Sequence, residues 1–144
     1  MKVALGSDHG GFALKEAVKA YLTENGFEYQ DFGTYDTKSC DYPVYAKAAA
    51  RAVADGNCGC GIVICTTGIG VSIAANKIEG IRCALCHDVT TAHLCREHNN
   101  ANMLAMGAGV VGEKVALEIV ATFLHTEFSG EERHVRRIGE IETA

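Results

Sequence analysis

The stretch IVICTTGIGVS, residues 62–72, decides the fold of this chain. Its apolar run Ile62–Ile64 ends at Cys65, and two threonines and the glycines Gly68 and Gly70 follow. An apolar run of this length that ends in glycines predicts a buried strand that a tight turn joins to a helix. The stretch therefore predicts one strand–helix unit of an α/β fold.

Strand-like and helix-like segments alternate outward from this stretch in both directions. The predicted strands cover residues 3–5, 27–33, 61–65, 80–86 and 103–106. The predicted helices cover residues 12–25, 44–56, 71–77, 88–97 and 113–125, and a polar tail from residue 127 ends in a charged, helix-like segment. Five such repeats are typical of a parallel sheet with helices on both faces. We therefore expect an α/β three-layer sandwich with a five-stranded parallel sheet and a C-terminal helical tail.

The composition suits a single domain over residues 1–144, because 48% of the 144 residues are hydrophobic and one core can form. The net charge of -5 and the lack of a basic run argue against binding to nucleic acid. No segment reaches the apolar length that a bilayer requires, and MKVALGSDHGG is a poor signal peptide because its apolar stretch is short. We expect a cytoplasmic protein that binds no nucleic acid and no membrane.

The seven cysteines are an odd number in a chain without an export signal, which predicts that most are buried free thiols. CALCH, residues 83–87, matches a haem-attachment pattern, but the segment is strand-like, and Cys83 and Cys86 would point to opposite faces. Zinc pairs formed by Cys58 and Cys60 with these two are a weak signal, because structural zinc sites use spaced pairs in loops. We expect no metal site.

Polar and small residues follow the carboxyl ends of four predicted strands. They are Asp8-His9, Cys65-Thr66-Thr67, Cys86-His87 and Gly107. Ligands of parallel α/β sheets bind beyond these ends of the strands, so we expect the functional site there.

The glycine turn after Cys65 fits an anion site better than a nucleotide motif. A dinucleotide fingerprint needs a third glycine at the position of Ile73, and the Gly-Lys-Ser/Thr of a P-loop is absent. Backbone N–H groups at a helix N-terminus bind anions, although the glycines are also consistent with a simple tight turn. A thiol beside a helix N-terminus can act as a nucleophile or a base. Alternatively, Cys65 is one more buried cysteine.

Two polar segments nearer the C-terminus add candidate residues. REHNNAN, residues 96–102, contains His98, and histidine exchanges protons near neutral pH. In RHVRR, Arg133 and Arg137 are one helical turn apart and can hold one phosphate together. The simpler interpretations are a helix end and a solvated helix face.

Five segments together resemble the type B ribose-5-phosphate isomerases and their allose-6-phosphate and galactose-6-phosphate relatives. The segments are GSDHGGFALK, DYPVYA, CTTGIGVSIAANKIEGIR, REHNNANMLAMG and RHVRR, in the family's order. The resemblance implies a Rossmann-like fold and an aldose–ketose isomerase without metal or cofactor. It also implies a homodimer, or a tetramer built from such dimers, whose sites lie at the subunit interface and bind a sugar phosphate.

The resemblance also assigns roles to individual residues. Cys65 would be the base that removes the C2 proton, and Thr67 would hold the enediolate oxygens. His98, with Asp8 nearby, would open the furanose ring. Amides around Gly68 and Gly70 would also hold the enediolate. The remaining substrate contacts are to phosphate, by His9, Arg133 and Arg137, and to the sugar, by Tyr42 and Asn99.

Two positions depart from the family pattern, and they leave the substrate open. Many members have glycine at the position of Thr66 and a phosphate-binding arginine at the position of Gly109. The substrate is therefore ribose 5-phosphate or, as alternatives, a six-carbon sugar phosphate or an unphosphorylated sugar. A non-catalytic sugar-binding module and a redox or metal sensor are further alternatives, because one fold can serve many functions.

Overall fold

The structure, a computed structural model, describes residues 1–143, which form one five-stranded sheet and six helices. The strands are β1 (Lys2–Ser7), β2 (Glu28–Asp31), β3 (Cys60–Cys65), β4 (Cys83–Leu85) and β5 (Met103–Gly107). The helices are α1 (Phe12–Glu24), α2 (Tyr42–Ala54), α3 (Ile69–Asn76), α4 (Val89–Glu97), α5 (Glu113–His125) and α6 (Glu132–Glu142). All strand pairs are parallel, in the order β2-β1-β3-β5-β4. The predicted α/β sandwich is confirmed.

The helix and strand ends differ from the sequence prediction mainly around glycine and at the sheet edge. Helix α3 begins at residue 69 and not at 71, because Gly68 is its N-cap with a φ of 77° and the helix starts directly after it. Strand β4 is shorter than predicted, because the Arg82 amide donates to the Asn102 side chain at 2.8 Å and leaves the strand ladder. None of the helices in residues 1–143 is both long and apolar enough to cross a bilayer.

Each face of the sheet has its own hydrophobic core. Helices α1, α4 and α5 cover one face, and α2 and α3 cover the other. Alternate residues of β3 enter opposite cores, so that Ile64 packs on the first face and Cys65 on the second. Cys86 and Cys83 also pack on opposite faces, as predicted. All seven cysteines are free, and five of them are buried.

The connections on the two sides of β3 place a crevice at its carboxyl end. Strands β1 and β5 flank β3, and the helices that follow them, α1 and α5, lie on the opposite face from α3. Chain segments that leave neighbouring strands toward opposite faces open a space between them, and this space is the usual ligand site of α/β sheets. Residue 65, the last of β3, therefore stands at the position that the topology prepares for a ligand.

Candidate active site

A cleft of about 400 Å³ lies at the carboxyl end of β3, and we call it the thiol cleft. Its walls are formed by Asp8, Tyr42, Cys65, Thr66, Thr67, Ile69, Gly70 and Ile73. Five of the predicted site residues therefore come together here from three separate segments of the chain. Gly68, a sixth, is the N-cap of the adjoining helix α3.

The Cys65 thiol is fixed by the turn that follows it. The Gly68 amide donates a hydrogen bond to Cys65 Sγ at 3.1 Å, and Cys65 is only 6% exposed. Gly68 is confined to glycine for a second reason, because a Cβ atom there would lie 2.7 Å from the backbone carbon of Met106. The turn thus holds the sulfur at the edge of the cleft and provides an N–H donor for negative charge on it.

The first turn of α3 presents backbone donors to the same cleft. The Ile69 amide donates to Thr67 Oγ1 at 3.2 Å, which orients the threonine hydroxyl. Within residues 1–143 the amides of Gly70 and Val71 donate to no acceptor, as is usual for the first turn of a helix. Free N–H groups at a helix N-terminus favour a negatively charged oxygen. The arrangement can therefore hold an oxyanion beside the thiol.

Three predicted residues from the first half of the chain lie in or next to this cleft: Asp8 and Tyr42 line it, and His9 directly follows Asp8 in the sequence. Asp8 is buried, and its Oδ1 accepts a hydrogen bond from the Gly11 amide at 3.1 Å. The Tyr42 ring packs directly on Gly70, where a Cβ atom would overlap it. His9 is exposed, and its Nδ1 accepts from the Cys40 amide at 3.2 Å, so the proton of a neutral ring is on Nε2. The Nε2–H group is thus free to donate to a ligand.

The other predicted residues form a second region, which we call the histidine surface. It consists of His98 and Asn99 at the end of α4 together with Arg133, His134 and Arg137 of α6. The rings of His98 and His134 stack with their centroids 4.4 Å apart, which docks α6 onto the end of α4. Arg133 is exposed and forms an ion pair with Glu131 at 2.6 Å.

His134 is a residue of this surface that the sequence did not single out. It is 7% exposed, and its Nε2 has no hydrogen-bond partner in the described part of the chain. Burial and the positive charges of His98 and Arg133 lower its pKa. The available signal was its place inside RHVRR, between the two arginines that the spacing favoured.

Two further arginines, which the sequence prediction also missed, hold the turn that carries His98 and Asn99. Arg82 Nε donates to the Asn99 carbonyl at 3.1 Å, and its Nη1 pairs with Glu142 of α6 at 2.7 Å. Arg96 Nη1 donates to the Ala101 carbonyl at 2.6 Å. The histidine surface therefore has a fixed backbone although most of its side chains are exposed.

The sequence as a whole matches one protein family. The family model described as Ribose/Galactose Isomerase matches residues 3–141. The chain belongs to the ribose/galactose isomerase family. Among curated members, it is 46% identical to ribose-5-phosphate isomerase B of Escherichia coli, over 97% of this chain and 93% of that protein.

Solved structures of the isomerase family have the same fold as this chain. Ribose-5-phosphate isomerase B of Clostridium thermocellum is 51% identical and superposes with a TM-score of 0.97, over 99% of this chain and 95% of that one. The Mycoplasma genitalium enzyme, solved with bound ribulose-5-phosphate, is 38% identical with a TM-score of 0.92, over 98% and 93% of the two chains. The predicted family is confirmed.

In this isomerase-family chain, the two regions lie at opposite edges of the sheet. The Gly61 amide, at the start of β3, donates to the Asn102 carbonyl at 3.0 Å, which places the end of REHNNAN at the amino edge. Cys65 ends the same strand at the carboxyl edge. Strand β3 rises roughly 16 Å between its first and last residues. One chain therefore does not bring His98 to the Cys65 thiol.

Proposed function

We propose that this protein is a sugar-phosphate aldose–ketose isomerase that interconverts ribose 5-phosphate and ribulose 5-phosphate through an enediolate. The observation that carries the proposal is the Cys65 thiol fixed beside the free amides of α3, in a cleft at the topological switch point. The names of the family members and of the solved structures support the same reaction.

The proposed proton transfer uses the thiol cleft. Cys65, as the thiolate, removes the proton from C2 of the open-chain aldose and returns it to C1, while the hydroxyl proton of O2 passes to O1, so that the aldehyde at C1 becomes a hydroxyl and C2 becomes the carbonyl. The negative charge that develops on the C1 and C2 oxygens is held by the Thr67 hydroxyl and the Gly70 amide. Preorganised donors of this kind contribute roughly 3–4 kcal/mol each to a transition state in which charge develops on oxygen. The amide of Gly68 assists from the other side, through its hydrogen bond to the thiol.

The proposed ring opening and phosphate binding use both regions. His98 exchanges a proton with the ring oxygen, with Asp8 nearby, and Asn99 and Tyr42 contact the sugar hydroxyls. Arg133 and Arg137 hold the phosphate from α6, and His9 donates to it through Nε2. These assignments need the histidine surface to reach the thiol cleft.

We propose a homodimer in which the histidine surface of one chain packs against the thiol cleft of the other, so that each site is made from both chains. The rim of the thiol cleft carries exposed apolar side chains, including Ile69 at 52% and Ile73 at 57% exposure, one helical turn apart on α3. Such a patch beside polar site residues is typical of an interface between subunits. In a two-fold dimer each thiol cleft faces the partner, which repeats the same contact in both directions.

The reaction is tested by a panel of substrates. Pentose and hexose 5- and 6-phosphates and the corresponding free sugars are assayed for aldose–ketose exchange, and we expect ribose 5-phosphate to have the highest kcat/KM. A higher value for a six-carbon phosphate or a free sugar would keep the chemistry and replace the substrate. Binding of sugars without any isomerisation would contradict the enzyme and favour a binding module.

The composite site is tested by mixed dimers. Cys65→Ala chains and His98→Asn chains are co-expressed with different tags, and the mixed dimer is isolated through both tags. It contains one site with both defects and one intact site, so we expect about half of the wild-type activity per dimer. If each site belongs to a single chain, the mixed dimer contains no intact site and stays as inactive as either parent variant.

A further inference from the structure

Thr66 follows Cys65 and belongs to the wall of the thiol cleft. Its side chain is exposed in a cleft that also contains Asp8 and Cys65. Neither the proton transfer nor the ring opening proposed above uses it. It places a branched, polar side chain between the thiol and the segment that follows β1.

Two glycines on neighbouring strand ends enclose the Thr66 side chain. A Cβ atom on Gly10, after β1, would overlap Thr66 Oγ1. A Cβ atom on Gly109, after β5, would lie 3.0 Å from Thr66 Cγ2, and the Gly109 amide donates to the Thr66 carbonyl at 2.8 Å. The hydroxyl therefore faces the β1 side and the methyl faces the β5 side. A β-branched side chain held on both sides has little rotational freedom, so it is a fixed wall.

The Thr66 hydroxyl differs from that of its neighbour Thr67. Thr67 Oγ1 accepts from the Ile69 amide, whereas Thr66 Oγ1 has no hydrogen-bond partner among residues 1–143. It is thus available to a hydroxyl group of a bound ligand. The side chain offers the cleft both a steric boundary and a hydrogen-bonding group.

The residues on each side of Thr66 indicate which carbons of the substrate it contacts. Cys65 acts at C1 and C2, and His9, which precedes Gly10, approaches the phosphate. The carbons between these two ends must pass Thr66. We propose that Thr66 is a specificity-determining residue that contacts the C3–C4 part of the sugar and fits the cleft to a five-carbon phosphate. This inference rests on the proposed isomerase function, and it adds the residue that discriminates against a six-carbon chain.

The test compares kcat/KM for ribose 5-phosphate and allose 6-phosphate in the wild-type dimer and in three variants. Thr66→Gly removes the wall, and we expect the ratio of the two values to shift at least about tenfold toward the six-carbon substrate, as one methylene group in a pocket is worth tenfold or more. Thr66→Ser keeps the hydroxyl and should shift the ratio in the same direction by a smaller factor. Thr66→Val is the matched control, because it keeps the shape and should leave the ratio near the wild-type value while lowering both rates.

The outcomes separate this inference from the proposed function. A wild-type enzyme that isomerises ribose 5-phosphate and keeps its ratio in both Thr66→Gly and Thr66→Ser would overturn the role of Thr66 alone. A ratio that moves in Thr66→Val as far as in Thr66→Gly would also overturn it, because shape is then not what discriminates. A wild-type enzyme without activity on any sugar phosphate would overturn the function and this inference together. Melting temperatures identify a variant that fails to fold, and Thr66→Ser then gives the decisive ratio.

Discussion

The thiol cleft and the histidine surface are built in different ways. The cleft is formed by strand ends and backbone amides, and the residues that support it, such as Cys65 and Asp8, are buried. The surface is formed by a helix end and a terminal helix, and its cationic side chains, including Arg133, are exposed. Substitutions that reach the interior of the first region should therefore affect folding or chemistry severely. Those on the second should change substrate handling and leave stability near wild type.

The largest effect is expected in the cleft, from Cys65→Ala. Removal of the base should lower kcat by about a thousandfold or more, because general base catalysis contributes factors of this order. Sugar binding should be largely retained, since the free amides of α3 remain in place. Solvent-deuterium incorporation into product measures the loss. The matched control is Cys58→Ala, another buried thiol, which should affect stability only; near-normal deuterium exchange in Cys65→Ala would contradict the role of the thiol.

The next largest effect is expected on the free energy of unfolding, from a change in the ion pair that supports the thiol cleft. Lys15 is fully buried, and its Nζ pairs with Asp31 Oδ1 at 2.6 Å and donates to the Thr34 carbonyl at 2.5 Å. The Thr34 amide in turn donates to the Ser7 carbonyl at the end of β1. Asp31→Asn should lower the free energy of unfolding by about 3–5 kcal/mol, the usual cost of leaving one partner of a buried ion pair without the other. Denaturant titration measures it.

The control for this ion pair lies on the other region. Arg136 and Glu132 form an exposed pair on α6 at 2.8 Å, and Arg136→Ala should change stability little because solvent screens such pairs. If Asp31→Asn and Arg136→Ala lowered the free energy of unfolding equally, burial of the ion pair would not be what makes Asp31 important for stability.

The pH dependence of stability gives the same ion pair a second test. Burial alone would raise the pKa of Asp31, but hydrogen bonds from Lys15, the Gly33 amide and Lys19 outweigh it and bring the pKa below the ordinary value of 3.8. The folded chain then binds fewer protons at Asp31 than the unfolded chain does. Its contribution is therefore complete above the ordinary pKa and is lost as pH falls through the folded one. The stability difference between wild type and Asp31→Asn should shrink below about pH 4.

The sequence predicted the thiol cleft better than the histidine surface for a physical reason. The main residues of the cleft come from one short segment at the end of a strand: Cys65, Thr67, Gly68 and Gly70. The apolar pattern of the strand and the glycine turn after it therefore locate them together. The strand ends at residues 80–86 were less predictable, because side-chain bonds of Asn102, not hydrophobicity, decide where β4 begins.

Contacts between distant residues account for what the sequence did not reveal. Burial of Lys15 depends on Asp31 and Thr34, and nothing in the pattern of α1 distinguishes this lysine from an exposed one. The stacking of His134 on His98 likewise joins two helices that are separate in the sequence. The opposite-edge placement of Cys65 and His98, by contrast, is a consequence of the predicted parallel sheet, because α4 returns from the carboxyl end of β4 to the amino end of β5. The site roles themselves stay predictions.

On the histidine surface, His98→Asn should reduce turnover of ring-closed ribose 5-phosphate by about a hundredfold, because one acid–base group is lost from ring opening. A four-carbon aldose phosphate cannot close a furanose ring, so it should bypass the defect. Stability should fall only slightly, by about 0.5–1.5 kcal/mol, because the partly exposed ring of His98 loses its stacking on His134 but no buried ion pair is broken. Parallel kcat/KM values for the two substrates measure the difference. Equal losses on both would contradict ring opening and point to a binding role.

The smallest effect on activity is expected from the arginines of α6, and it separates the two members of the pair. Arg133 already has Glu131 as a partner, whereas Arg137 has no carboxylate within 4.0 Å among residues 1–143. A charge-assisted hydrogen bond contributes about 1.5–3 kcal/mol, so either alanine variant should lower kcat/KM for ribose 5-phosphate by about ten- to a hundredfold. Arg137→Ala should lower kcat/KM more than Arg133→Ala does. The Arg137 guanidinium can bind phosphate without first breaking an ion pair, whereas Arg133 must give up its pair with Glu131.

The measurement compares ribose 5-phosphate with free ribose in Arg133→Ala, Arg137→Ala and the control Arg136→Ala. Free ribose carries no phosphate and should hardly respond to any of the three. Arg136 lies on the same helix but is paired with Glu132, so its removal should leave both substrates unchanged. Equal losses on ribose 5-phosphate and free ribose would show that α6 only supports the fold. A wild-type preference for free sugars would instead indicate that the missing side chain at Gly109, enclosed by Thr66, has moved the enzyme away from phosphorylated substrates.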